Sequence, residues 1–454
     1  MESQNEKYLK LVLYTWDKEN NEVNSIFDYS SKSLKEETIF FEKETYLART
    51  KYDEFKTYEN HEEFKKTEEE EGNVLIFKLN KEEEEEKDKY ILTSLFPTNL
   101  QLNEENLNNI NNKIWYILKT SDIDNKENDK NCNEEYYLNE NDIIKFGRVK
   151  YIVQKIHLLN NNNKDVPSNS NDENNYNISD LNKNTNSVFQ CVYPVKNFKG
   201  YKDNNVKNNN VSNEEIEKKE CKYCEYLPEN EKNDKEGNDK EENFLISLCK
   251  CNELVHFKCF KYYLKNLKEL KENNTKIDES KVFKNFECEE CGNQYPIKFK
   301  LPNQEKIFNL IDIKEPEDCD YMILESIDFK QNNQYYKSIH IVKLIKEGSP
   351  ITIGRENSND IIERDISISR KHALLRFNKE DGKISIQNWE GKFGTLVLVK
   401  KPIKVLDKTI YLQVGKIYIK ACLTNKEEYD KYKNKQKNNS EKKEENNKNN
   451  ENKD

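Results

Sequence analysis

Eight thiol and imidazole side chains between residues 221 and 291 constrain this chain more than any other feature. They fall into four short pairs: Cys221 with Cys224, Cys249 with Cys251, His256 with Cys259, and Cys288 with Cys291. Pairs separated by one or two residues place two ligands on one tight turn, and zinc takes four thiolate or imidazole ligands in a tetrahedron. Four pairs therefore make two complete sites. In an interleaved arrangement Cys221, Cys224, His256 and Cys259 share one ion, and Cys249, Cys251, Cys288 and Cys291 share the other. Each set is closed, so both Zn2+ ions are expected to be structural and the module to need them to fold. Unrelated cysteines would not produce four ordered pairs. Cys132, Cys191, Cys319 and Cys422 fit none and read as buried or linker thiols.

Metal ligation rather than disulfide bonding requires a reducing compartment. No apolar run approaches the ~18–20 residues of a membrane span, and the start, Met1-Glu2-Ser3-Gln4-Asn5-Glu6, lacks the basic-then-apolar order of a signal peptide. The expected location is cytoplasmic or nuclear. With 35% charged and 34% hydrophobic residues and a mean hydropathy of -1.09, the chain cannot bury apolar surface along its whole length, so compact modules must alternate with solvated connectors. A formal charge of -10, from 75 basic and 85 acidic residues, argues against direct nucleic-acid binding.

These constraints divide the chain into segments. Residues 1–158 hold β-branched and aromatic runs such as Leu9-Lys10-Leu11-Val12-Leu13-Tyr14 and Ile114-Trp115-Tyr116-Ile117-Leu118, so a β-rich N-terminal domain is expected. Residues 159–218, rich in Asn, Ser, Asp and Lys, read as a mostly disordered linker. The metal module occupies 219–300, and a further set of strand-like runs occupies 321–424. The Lys/Glu/Asn tail, 425–454, reads as a disordered charged terminus with a helix allowed at its start. The fold class is thus multidomain and mainly β, with a small α+β metal module in the middle.

Within the 321–424 segment, Gly354-Arg355, Ser358-Asn359-Asp360-Ile361, Ser369-Arg370-Lys371-His372 and Gly394-Thr395 follow one another over about forty residues. Arginine forks and hydroxyls gathered on loops suit a dianionic phosphate, because charge-assisted and bidentate hydrogen bonds are the strong kind. The ordered pieces resemble the forkhead-associated (FHA) domain, a phosphothreonine-binding β-sandwich and an Arg-based reader of phospho-motifs. That resemblance implies that Arg355 grips the phosphate and Ser369 donates to it. It also implies that Arg370 or Lys371 adds charge, Asn359 braces the loop, and His372 is structural. In the family's Ser-x-Asn-Gly-Thr loop the Asn holds the peptide backbone. Here the loop reads Gly391-Lys392-Phe393-Gly394-Thr395, with Phe393 in that place, so peptide selectivity is expected to be weak or altered.

Tyr137-Leu138-Asn139-Glu140-Asn141-Asp142-Ile143-Ile144-Lys145-Phe146-Gly147 resembles the Leu-x-x-Gly-Asp-x-Ile-x-Phe-Gly ending of an FHA sandwich. No Gly-Arg followed by Ser-x-x-His precedes it. The N-terminal segment is therefore either a degenerate, phosphate-blind FHA-like sandwich or an unrelated β domain. Gly147-Arg148 lacks a following Ser-x-x-His and reads as an ordinary turn.

Leu245-Ile246-Ser247-Leu248-Cys249-Lys250-Cys251 and His256-x2-Cys259-Phe260-x2-Tyr263-Leu264 resemble the RING-CH (C4HC3) fingers of membrane-associated ubiquitin ligases. That resemblance implies docking of a ubiquitin-charged conjugating enzyme on Tyr223, Tyr263 and Pro296. The short spacing from Cys251 to His256 departs from the pattern, as do Tyr263 in place of Trp and the long stretch before Cys288. The short spacing and Phe286 also fit a PHD finger, a histone-tail reader. The combination resembles an FHA plus RING-variant arrangement of ciliates and apicomplexan parasites. The expected function is a phosphothreonine-directed adaptor acting as a RING-type ubiquitin ligase, with no covalent catalyst of its own. The alternatives are a non-enzymatic phosphopeptide-binding scaffold and a PHD-like nuclear reader.

Overall fold

The computed structural model describes residues 7–16, 34–50, 55–71, 74–83, 88–93, 110, 113–118, 134–159, 193–194, 221–224, 245–249, 251, 254–266, 269–270, 275–292, 294–300, 307–327, 329–331, 334–346, 348–406 and 408–437. Strand dominates them. No helix among them is long and apolar enough to cross a membrane. The expected linker lies outside the described residues except for Leu159 and Tyr193–Pro194, the latter pairing with Phe299 and Lys300.

One large sheet of thirteen strands organises the molecule. From one edge it runs Glu269–Leu270, Asp278–Lys284, Gln334–Lys343, Tyr321–Ile327, Val149–His157, Ile143–Phe146 and Thr395–Leu398. It continues through Ile114–Leu118, Ile410–Val414, Ile417–Asn425, Lys7–Trp16 and Leu34–Phe41, while Phe329–Gln331 pairs beside Gln334–Lys343. Its neighbours are antiparallel throughout.

Two five-stranded sheets accompany it. One runs Ile361–Ile362, Ile351–Gly354, Ala373–Asn378, Lys383–Asn388 and Glu135–Tyr137; the other runs Phe55–Tyr58, Thr45–Arg49, Val74–Glu83, Asp88–Thr93 and Ile403–Val405. Position for position they match, except that the first pair is parallel in one and antiparallel in the other. The large sheet repeats itself too. Outward from its centre, between Thr395–Leu398 and Ile114–Leu118, each direction meets a glycine-turned hairpin and then the opening strands of one half of the chain. Gly147 and Gly415 sit in those turns at φ 56 and 57, a conformation that favours glycine.

Strands from both sides of residue 158 share the large sheet. Strands 143–157 from the N-terminal segment lie between Tyr321–Ile327 and Thr395–Leu398, and strands 410–425 lie between Ile114–Leu118 and Lys7–Trp16. One continuous core runs from Leu9 to Ala421 and includes Leu47, Phe77, Tyr116, Phe146, Leu375 and Ile419. The physical reason is burial. Strands such as Ile143–Phe146 are buried on both faces, in clusters that draw on both ends of the sequence, Ile143 with Trp115, Ile117, Leu396 and Tyr418 for example.

The start of the tail is helical, and the rest of the tail lies outside the described residues. A helix over 426–437 opens it, capped by the Asn425 side chain, which accepts the Glu428 N–H at 3.0 Å. Tyr429 is buried and stacks on Tyr8 with ring centroids 4.1 Å apart.

Candidate functional sites

The metal module is built on short elements. Leu245–Ile246 pairs with Val255–His256, and the helix Phe257–Asn266 follows at once. Phe257, Phe260 and Leu264 on that helix are buried, at the spacing of one helical face. They pack with Phe286, Tyr295 and Phe299, and the same cluster takes in Tyr321, Ile323, Ile339 and Ile341 of the large sheet. The stretch between Cys259 and Cys288 supplies Asp278–Lys284, which pairs residue for residue with Tyr336–Val342. The module is welded to the sheet through it.

The eight ligands gather into two groups, Cys221, Cys224, His256 and Cys259, and Cys249, Cys251, Cys288 and Cys291, with ligand atoms all within 4.8 Å of one another. Cys251 and Cys288 sulfurs are 3.8 Å apart, which matches the edge of about 3.8 Å in a tetrahedron with zinc–sulfur bonds of ~2.3 Å. The His256 Nδ1 lies 3.2 Å from Cys224 Sγ and 3.9 Å from Cys259 Sγ. Burial together with the crowding of neighbouring thiols pushes Cys249 up to about 11 and Cys259 up to about 12. Cys221 goes the other way: burial pushes it up, but backbone N–H groups, that of His256 first, outweigh burial and lower it. Four soft donors in each closed group fit a metal of zinc's type. Tyr223 stacks on Tyr263 at 4.8 Å and is 37% exposed. Pro296 is buried, so it cannot join them on a docking surface. Tyr262, a position the motif does not mark, is 69% exposed.

The second site lies where the loops after Ile351–Gly354 and before Ala373–Asn378 meet. The Arg355 N–H donates to the Ser369 carbonyl at 3.0 Å, and Glu356 N–H to the Arg370 carbonyl at 3.2 Å. A Cβ on Gly354 would stand 2.2 Å from that Arg370 carbonyl oxygen, so the approach admits only glycine. Asn359 is buried and donates from its amide to the carbonyls of Glu356 at 2.8 Å and Arg370 at 2.7 Å, lashing the two loops together. Lys392 N–H donates to Ser369 Oγ at 2.9 Å.

His372 is the hub beneath them. Its Nδ1 accepts the Ser369 N–H at 3.1 Å, and its Nε2 donates to the Gly394 carbonyl at 3.1 Å. Burial holds it down at about 4. The ring is neutral and fully used, a structural bolt rather than a base. Arg355 and Arg370 are exposed and make no side-chain ion pair among the described residues. Lys371 lies over the Trp389 ring at 4.9 Å.

The remaining expected residues divide. Phe393 is half-buried beside the exposed Lys392. Gly394 turns back at φ 70. Thr395 is fully buried and donates to Asn388 Oδ1 at 3.1 Å, so it shapes the loop and cannot reach a peptide. Asn388 and Trp389, which form this floor, were not foreseen; only an alignment to the family's loop would single them out.

Two exposed cationic forks, Arg355 and Arg370, a serine and a bolted histidine thus stand together on crossed loops. Residues 351–419 match the FHA domain. The FHA match includes every loop residue named above and also Ile403–Val405 and Ile410–Val414, whose strands pair with Asp88–Thr93 and Ile114–Leu118. Comparison with curated proteins and with solved structures gave no match.

Proposed function

We propose that this chain is a phosphothreonine-directed adaptor whose recognition loops are those of its FHA domain. One observation carries the reading: Arg355 and Arg370 stand exposed and unspent in ion pairs among the described residues, on loops fixed by Asn359 and His372. Fixed donors around an open position suit a dianion, since little ordering remains to be done on binding. Arg355 would take the phosphate through its fork, Ser369 would donate its hydroxyl, and Arg370 would supply further charge. Lys371, already over Trp389, would contribute field. The test uses a degenerate phosphothreonine peptide library and its unphosphorylated twin on the full chain. Arg355→Ala is expected to abolish discrimination between the two; equal binding by wild type would sink the reading.

The metal module would hold two structural zinc ions, one in each ligand group. Zinc there ties distant turns together; no reaction step runs through it. A second reading, a RING-type ubiquitin ligase, is favoured by two exposed aromatics of the module, Tyr223 and Tyr262, the first stacked on the half-buried Tyr263. Such a module would hold a charged conjugating enzyme near a substrate lysine, catalysis by proximity. The check is ubiquitin discharge from a panel of charged conjugating enzymes by the full chain. Tyr223→Ala should remove any stimulation, and no stimulation by metal-loaded protein would leave the scaffold reading alone. The full chain is required because Asp278–Lys284 belongs to the shared sheet.

A further inference from the structure

The turn Gly147-Arg148 belongs to the N-terminal part of the chain, yet it abuts the phosphate loop. A Cβ on Gly147 would stand 2.4 Å from Ser367 Oγ and 2.6 Å from the Ser367 carbonyl oxygen. Nothing larger than glycine fits. The Arg148 N–H donates to Ser367 Oγ at 3.0 Å. The Arg148 side chain grips Asp365, with Nε 3.0 and 2.9 Å from the two carboxylate oxygens and Nη2 2.6 Å from Oδ2. The Asp365 side chain is 0% exposed.

Asp365 is the inner anchor of the loop that delivers Ser369. Its carboxylate also accepts the Ser367 N–H at 2.9 Å and the Ser367 hydroxyl, and its carbonyl accepts the Ile368 N–H at 3.0 Å. Ser369 and His372 come next in the chain. The loop is thus bolted at one end by His372 and at the other by Asp365, and Asp365 is matched from outside by Arg148. A second residue of the same hairpin acts alongside: the Tyr151 hydroxyl donates to Glu363 and lies 3.3 Å from Ser338 Oγ.

We propose that the hairpin 143–157 is a working part of the phosphate site, with Arg148 as the positioning residue that fixes the Asp365–Lys371 loop. Phosphate recognition then needs both ends of the chain. The inference rests on the phosphothreonine reading above. Arg148 does not touch the phosphate; it acts through Asp365. Its bidentate grip sets the loop's orientation as well as its charge balance, which a single-point cation would not reproduce.

The experiment compares Arg148→Met and Arg148→Lys with wild type as full chains, at a temperature where melting shows each to be folded. Two quantities are read: amide hydrogen exchange across 365–371, and affinity for the phosphothreonine library against its unphosphorylated twin. Arg148→Met is expected to speed exchange in that loop and weaken phosphopeptide binding by about tenfold or more, as loss of a charge-assisted fork should. Arg148→Lys should fall between, and a merely structural role would move stability without the loop-specific exchange. Wild-type exchange and wild-type phosphopeptide affinity in Arg148→Met would overturn the proposal. Should Arg148→Met not fold, the same two readouts on Arg148→Lys decide. A wild-type chain blind to phosphorylation would instead overturn the reading beneath it, so the two failures are distinct.

Discussion

His372 and His340 are both buried, and they sit on opposite sides of the ordinary histidine range. His372 is neutral, held at about 4. For His340 burial acts downward, but Asp278, 2.8 Å from its Nδ1, and Glu363, 3.4 Å from its Nε2, prevail and raise it to about 10. In the unfolded chain both titrate near 6.5. Below that value the unfolded state gains a proton at residue 372 that the native state refuses. Stability should therefore fall between about pH 6.5 and 4 by roughly 3 kcal/mol from this group, at 1.36 kcal/mol per unit. Above about 6.5 the native state keeps a proton at His340 that the unfolded state has released, so that contribution declines as pH climbs toward 10. Urea unfolding from pH 4 to 10 should trace a dome, and His340→Gln should flatten its alkaline limb. An unchanged alkaline limb would show that His340 is not charged in the native state. At Gly354 the expectation is steric: Gly354→Ala drives a methyl into the Arg370 carbonyl. It should cost about 1–3 kcal/mol, read by denaturant midpoint, and should loosen both phosphate loops.

At the scale of elements, the metal module and the sheet share a cluster, Phe283 and Phe286 on one side and Tyr321, Ile323, Ile339 and Ile341 on the other. Mass spectrometry of native protein is expected to count two zinc ions per chain. Stripping them with a chelator should remove helical signal from Phe257–Asn266 and exchange protection over 275–292, and should lower the melting temperature of the whole chain. A chelated chain that melts like the loaded one would mean that the ligand groups are not metal sites. Much of this level was legible beforehand. Ligand pairs and loop motifs are local spacings, and a turn that must bring two thiols together announces itself within four residues. Strand pairing does not. Leu11 faces Ala421 and Ile39, and no spacing within either strand records that partner, because any strand with one apolar face suits many others. For the same reason Arg148 reads as an ordinary turn residue until Asp365 is placed against it.

Across the whole molecule, each half of the large sheet opens with strands from one part of the sequence and closes with a hairpin from the other. The half holding the phosphate loops is closed by 143–157, and the half holding Lys7–Trp16 is closed by 410–425. In the second half, the acidic helix His61–Glu71 precedes Val74–Glu83, in the place where Ser369, Arg370, Lys371 and His372 precede Ala373–Asn378. That helix carries Glu70 and a Glu71 already paired with Lys56 at 2.9 Å, and it has no counterpart of the Arg355 and Arg370 pair. Cutting the chain between the two sets of strands should then leave the pieces locked together. With a protease site placed between residues 170 and 180 of the full chain, cleavage of folded protein is expected to give two fragments that co-elute in size exclusion and part only in denaturant. Two long β-ladders across the cut, Lys7–Thr15 with Ile417–Asn425 and Lys150–His157 with Tyr321–Ile327, are what would hold them. Fragments that separate under native conditions would mean that the ladders do not carry the assembly. Co-eluting fragments that still distinguish phosphorylated from unphosphorylated peptides would show that the covalent connection between the two parts is dispensable.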